Sequence, residues 1–234
     1  SAARRAAASG AGWARGPGGP ALELVPRVLY NPDLRSRWFY VPAILAMVLL
    51  LTTMVLPSMA VVREKEIGTL EQIMVTPIRP WQLIVGKLLP FAGIGLGVAA
   101  AVTGAAVWLL GVPLRGSFLL LLGLTALFLL NTLGLGLLVS TLARNQQQAM
   151  MSSIYLVMIP MIFLSGLLFP LENMPPAIRV VSWAIPLRYY ATVIRGIFLK
   201  GAGLESLWSE ALSLLVYGAT ILAIASLRFR KRLD

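Results

Sequence analysis

No cysteine and no histidine occur among the 234 residues, and only 12% of the residues are charged. The first absence removes disulfides, thiolate nucleophiles and c-type haem attachment. The second removes imidazole metal sites and Ser-His or Cys-His pairs. Charge this sparse, against roughly a quarter in soluble domains, accompanies 58% hydrophobic residues and a mean hydropathy of +0.83. A water-soluble fold of this length could not hide that much apolar surface.

What is present is gathered into apolar blocks of about twenty residues, the length a helix needs to cross a hydrocarbon layer of about 30 Å. Five spans are expected near 39–62, 83–110, 117–141, 149–169 and 207–227, each bounded by charge, Pro, Gly or Trp/Tyr. The fold class is therefore all-α, a polytopic transmembrane helix bundle. Residues 1–26 are rich in Ala, Gly, Arg and Pro without helical or strand period. They also lack the apolar stretch of about 7–15 residues that a signal peptide requires. They are expected to be disordered, or an artefact of a sequence that opens on Ser1 without an initiator Met. The transmembrane domain is expected over 27–234.

A net charge of +11 would suggest nucleic acid in a soluble protein. Here the basic residues sit in the links between apolar blocks, where they suit anionic lipid head groups, and no nucleic-acid partner is expected. Counting Lys and Arg by side, with the C-terminus inside, places nine inside and eleven outside, so charge alone does not orient the chain. Gly93, Gly97, Ala101 and Gly104, and Gly134 with Leu138 one turn on, present small or smooth surfaces at helical spacing and are expected to let helices approach. Pro57 and Pro160 lie inside spans and should kink them.

No span has Asp, Glu, Arg or His at its middle, where ion-coupled transporters need a titrating group. Lys87, about one turn inside its span beside Trp81, can snorkel to the interface. The polar groups left in the spans, including Thr52, Thr53, Thr103, Thr125, Asn131, Thr132, Ser140, Ser152, Ser153 and Tyr155, are neutral, and most should bond a neighbouring carbonyl or helix. There is no nucleotide-binding loop: Gly86-Lys87 is followed by Leu88, and Trp81 stands where the first glycine should be. With no nucleophile-base pair or paired carboxylates in the spans, no enzyme activity is expected. If ATP drives this protein, another chain must hydrolyse it.

Two links carry further information. In 63–82, Arg63, Glu64, Lys65 and Glu66 precede Thr69 and Gln72, a capping-box spacing that starts a short helix ending before Pro77. Leu70, Ile73 and Met74 fall on one face of it and Glu71 elsewhere. One reading is an interfacial helix lying on lipid. The other is a docking helix whose apolar face enters a partner's groove while the charged cluster pairs with that partner. Glu64, Glu66 and Glu71 suit anionic lipid poorly and favour docking. In 170–206, apolar and aromatic pieces Ala177–Ile185 and Leu187–Leu199 are broken by Pro186. Neither is long enough to span, and both look like interfacial or re-entrant half-helices anchored by Trp183, Tyr189 and Tyr190.

The segments REKEIGTLEQIMVTPIRPWQLIVGK and FLSGLLFPLENMPPAIRVVSWAIPLRYYATVIRGIFLKG, with YNPDLRSRWFYVPA upstream, resemble the membrane subunits of ABC-2 type exporters of the multidrug-permease branch. The resemblance covers roughly 27–234. It implies a permease of the bacterial inner membrane that moves drugs or other amphipathic molecules outward. It implies a second permease half, identical or homologous, and ATP-binding subunits that hold ATP and Mg, so that this chain itself needs no cofactor. It also implies a cytoplasmic coupling helix in the 63–82 link, with Arg63, Glu64, Lys65, Glu66, Thr69, Leu70, Glu71, Gln72 and Met74 at or near the ATPase contact. The half-helices then lie on the outer side and the C-terminus is cytoplasmic. Members of this family generally have six spans and an extracytoplasmic domain before the position of Tyr30. Residues 1–26 stand in that place here, so the alternative expectation is a truncated remnant or a non-transporting membrane scaffold.

Overall fold

The computed structural model of the protein describes residues 36–68, 80–167 and 174–230. Residues 1–26, the expected helix over 69–76 and the Pro170–Asn173 stretch fall outside the described residues. Among those described, every regular element is helical, and five helices are long and apolar enough to cross a membrane: Tyr40–Ile67, Gln82–Trp108, Phe118–Leu142, Gln146–Leu164 and Leu204–Arg228. They are numbered here as the first to fifth spans.

The first span runs about a turn further than its hydropathy alone indicates. Arg63, Glu64, Lys65 and Glu66 end the apolar run but are good helix formers, so the helix continues to Ile67. It stops where Gly68 turns left-handed, at φ 79°, a conformation that glycine adopts without steric cost.

Both expected proline distortions take the same form. A π-helical turn, Leu51–Val55, precedes the α-helix Leu56–Ile67, whose second residue is Pro57; another, Ser152–Met158, precedes Ile159–Leu164, whose second residue is Pro160. Proline cannot donate to the carbonyl four residues back, and its ring crowds that carbonyl. A wider turn relieves the crowding while other backbone bonds continue, as in the Ile159 N–H donating to the Ile154 carbonyl. Pro90 also lies inside a helix, Pro80–Trp108.

The third span is the hub. Gly134 and Gly136 are two residues apart, so they face nearly opposite sides of it. A Cβ on Gly136 would lie 2.6 Å from the Met54 carbonyl of the first span, and one on Gly134 would lie 2.9 Å from Ile221 of the fifth. The fifth span reciprocates at Gly218, where a Cβ would meet Leu130 at 3.0 Å. In the second span the closely packed glycine is Gly95, facing Thr53 and Leu129. Gly93, Gly97 and Gly104 meet nothing within 4 Å, which corrects the expectation that they bring helices of this chain together: periodicity revealed a small-residue face but not that the bundle lies on the other side.

The 170–206 link also differs from its expectation in one respect. Pro176–Val181, a 3-10 turn Ser182–Ala184, Pro186–Arg195 and a π turn Gly196–Lys200 follow in order, broken at Pro186 as anticipated. Leu187, Tyr190, Ala191, Ile194 and Phe198, spaced on one helical face, are buried in the common core. Tyr190 is therefore not an interfacial anchor. Its ring stacks on Phe128 at 4.0 Å between centroids, and its hydroxyl shares a 2.8 Å hydrogen bond with Thr125. Trp183 stays exposed, with the Arg188 guanidinium 4.3 Å above its ring, and its carbonyl accepts from the Tyr189 and Tyr217 hydroxyls.

Gly136→Ala is expected to lower the thermal midpoint of the detergent-solubilised chain by the equivalent of about 1–3 kcal/mol of overpacking. Gly93→Ala should stay within about 0.5 kcal/mol of the parent. Size-exclusion recovery after heating measures both, and equal effects would contradict the packing at Gly136.

Candidate coupling site

Alternation of the spans brings the exit of the first span, the entry of the second, the short 143–145 link and the end of the fifth to one end of the bundle. Three of the four charged residues expected to face a partner are engaged there by this chain. Glu64, on the first span, forms an ion pair with Lys87 of the second. Lys87 thus reaches a carboxylate and not only the head-group region. Lys65 donates to the Ala143 carbonyl at 3.2 Å. Glu66 accepts from the Gln146 backbone N–H at 3.1 Å and from its side-chain amide at 2.6 Å. Arg63 is exposed on the same helix end.

A small apolar contact lies beneath these bonds, where Val62, Ala143 and Ala149 bury one another. The fourth span opens on an N-cap: the Asn145 side chain accepts from the Gln148 N–H at 2.7 Å, and the Gln148 side chain accepts from the Arg144 N–H at 2.9 Å. Capping leaves Gln146 in the first turn, where backbone N–H groups lack helical partners, and Glu66 satisfies one of them. Its negative charge is also well placed at a helix N-terminus. The sequence signal for this was legible as Asn145-x-x-Gln148, a close variant of the capping box. The pairing with Glu66, eighty positions away, was not.

The assembly is a charged latch. It fastens the end of the first span to the second span and to the third–fourth link, directly before Gly68 and the segment carrying Thr69, Leu70, Glu71, Gln72 and Met74, which lies outside the described residues. Any displacement of that segment is applied first to a helix end already joined to three other elements.

Inside the bundle, polar groups mostly bond within their own helix, as expected. The Thr52 and Thr53 hydroxyls donate to the carbonyls of Val48 and Leu49, and Ser140 and Thr141 to those of Leu137 and Leu138. Contacts between elements are few: Thr53 with Thr132 at 2.7 Å, Thr125 with Tyr190, and the Asn131 amide to the Leu214 carbonyl at 2.9 Å. Tyr155 faces outward, 64% exposed. Among the described residues no cluster of acidic side chains could hold a metal ion.

Five apolar spans, a proline-broken pair of half-helices and a charged latch define a multi-span α-helical membrane protein. The family described as ABC-2 family transporter protein matches residues 20–227, and the chain belongs to it. Among relatives from Escherichia coli (strain K12), the probable multidrug ABC transporter permease YbhR is 37% identical over 210 residues, which cover 90% of this chain and 57% of YbhR. The probable multidrug ABC transporter permease YbhS is 34% identical over 215 residues, 92% of this chain and 57% of YbhS. The inner membrane transport permease YhhJ is 34% identical over 218 residues, 91% of this chain and 57% of YhhJ. The chain thus spans 57% of the length of these curated relatives.

A double-mutant cycle on Glu64→Gln and Lys87→Met should return a coupling of about 0.5–1 kcal/mol in thermal stability, shrinking as salt is raised. Strictly additive losses would mean that the pair does not hold the two spans together.

Proposed function

We propose that this chain supplies the membrane-spanning part of a permease in an ATP-driven exporter. A separate ATP-binding subunit, which holds ATP and Mg, docks on the link between the first and second spans. The observation that carries this reading is the latch: the residues preceding that link are bound to the second span and to the third–fourth link, so force applied to the link reaches several spans at once. Membership of the ABC-2 family supports the same reading.

On this reading the link over 63–82 and the C-terminus face the cytoplasm, the half-helices lie on the outer side, and the membrane is the bacterial inner membrane. Thr69, Leu70, Glu71, Gln72 and Met74 lie at or near the contact with the ATP-binding subunit. Arg63 flanks it, as do Glu64 and Glu66, whose carboxylates also serve the latch. A second permease half, a copy of this chain or a homologue, completes the pathway. Transport then proceeds by alternating access, which requires the ATP state and the substrate each to bind one arrangement better than the other. The apolar, neutral interior suits amphipathic cargo, including drugs.

Co-purification from membranes tests the proposal. The full chain is expected to retain the ATP-binding subunit encoded beside it, and a Leu70→Asp/Met74→Asp variant to lose it while remaining a well-behaved membrane protein. Loss is expected because two carboxylates cannot enter an apolar groove unpaired. Retention by both chains would move the docking surface elsewhere, and retention by neither would overturn the reading.

A further inference from the structure

Hydroxyls inside the spans ordinarily return their proton to a carbonyl of their own helix, as Thr52, Thr53, Thr125, Ser140 and Thr141 do. Three buried hydroxyls have no partner among the described residues: those of Ser58, Thr103 and Ser153. Thr103 stands on the second span. Ser58 and Ser153 stand on the first and fourth, the two spans that carry a π turn before a proline. Ser58 follows Pro57 directly, and Ser153 lies within the π turn Ser152–Met158.

The latch sets these two serines opposite each other. The first and fourth spans run in opposite directions, with Glu66 bonded to Gln146 and, about one turn further in, Val62 buried against Ala149. Four residues further along each helix, on the same faces, come Ser58 and Ser153. Both side chains are fully buried and their oxygens are sealed from water, so solvent does not satisfy them. A buried hydroxyl without a bond is costly, and two of them face one interface where the helical ladder is already relaxed. We propose that Ser58 and Ser153 form a two-position contact. It is open in the arrangement described here, and closed by a hydrogen bond between the two hydroxyls in a second arrangement, reached by a shift of the first and fourth spans at their π turns. The contact belongs to the bundle itself, so it stands or falls independently of any docking of an ATP-binding subunit.

Because the sequence has no cysteine, Ile44→Cys and Phe163→Cys place two spin labels at exposed positions of the first and fourth spans, on the far side of the π turns from the latch. The labelled full chain is reconstituted in lipid vesicles with excess unlabelled chain, so that pulsed electron paramagnetic resonance reads distances within one chain. Two distance populations are expected, one matching this structure and a second. Ser58→Ala and Ser153→Ala should each lower the second population about threefold relative to the first, the equivalent of one hydrogen bond of about 0.6 kcal/mol inside a membrane bundle. The double variant should lower it no further, and Thr103→Val, which removes the third unbonded hydroxyl, should leave the ratio unchanged. Neither alanine variant should lower the thermal midpoint, since each removes a group that has no bond in this arrangement. A single population in the parent, or a ratio indifferent to alanine, would overturn the proposal. Effects that multiply in the double variant, or recur with Thr103→Val, would overturn the pairing of the two serines. A lowered midpoint would mean that the hydroxyls are already bonded here, and would overturn the open position.

Discussion

Within a hydrocarbon layer, a peptide group that leaves the helical ladder has no water to bond, and this constraint governs where the bundle can bend and how its helices can meet. Pro57 and Pro160 each interrupt the ladder inside a span. In both cases the interruption is absorbed by a π turn placed directly before the proline. The distorted turn of the first span is also where the third span comes nearest, with Gly136 against the Met54 carbonyl. A side chain there would hold the helices apart and leave that stretch of backbone facing a gap. The irregularity is thus tolerated because a neighbour seals it.

The same constraint explains the thrift in polar contacts. A threonine or serine inside a span can return its proton to a carbonyl three or four residues back, which satisfies the hydroxyl without specifying a neighbour. The few hydrogen bonds between elements in the interior of the bundle, Thr53–Thr132, Thr125–Tyr190 and Asn131 to the Leu214 carbonyl, are of a kind worth about 0.6 kcal/mol on average in other membrane bundles. They align the helices more than they bind them. Cohesion comes from close shape, and it is concentrated on the third span, whose glycines at 134 and 136 let two neighbours approach from opposite sides.

Hydropathy was enough to locate all five spans because a bilayer imposes length and apolarity on every residue in the layer, leaving little for tertiary context to override. Where the chain leaves the layer, local rules compete. The first span outran its apolar run because Arg63–Glu66 favour helix, and only Gly68 ended it. Tyr190 read as an interfacial anchor because aromatic residues beside charge usually sit there. The structure instead buries the face formed by Leu187, Tyr190, Ala191 and Ile194, a periodicity that was present in the sequence but outweighed by the aromatic cue. The glycine face of the second span misled for another reason: sequence records that a face is small, and has no record of where its neighbours stand. Likewise the latch joins residues about eighty positions apart, and no local signal connects Glu66 to Gln146.

The latch also limits how a signal could cross the bundle. Coupling between distant points needs an element with discrete arrangements that both ends bias. At the charged end, Lys65 and Glu66 join the first span to the third–fourth link and to the start of the fourth span. At the opposite end, Arg195 donates to the carbonyls of Gly166 and Leu167, and Gly116 donates to the Ile197 carbonyl, so the half-helices are joined to the ends of the third and fourth spans. Between these fastened ends, the first and fourth spans each carry a π turn before a proline, and the two turns pack against each other. The stiff points are therefore terminal and the irregular points central. If force enters at the link after Gly68, the geometry that yields with least loss of bonding is a change at those two turns, where the regular ladder is already relaxed and no ion pair has to break.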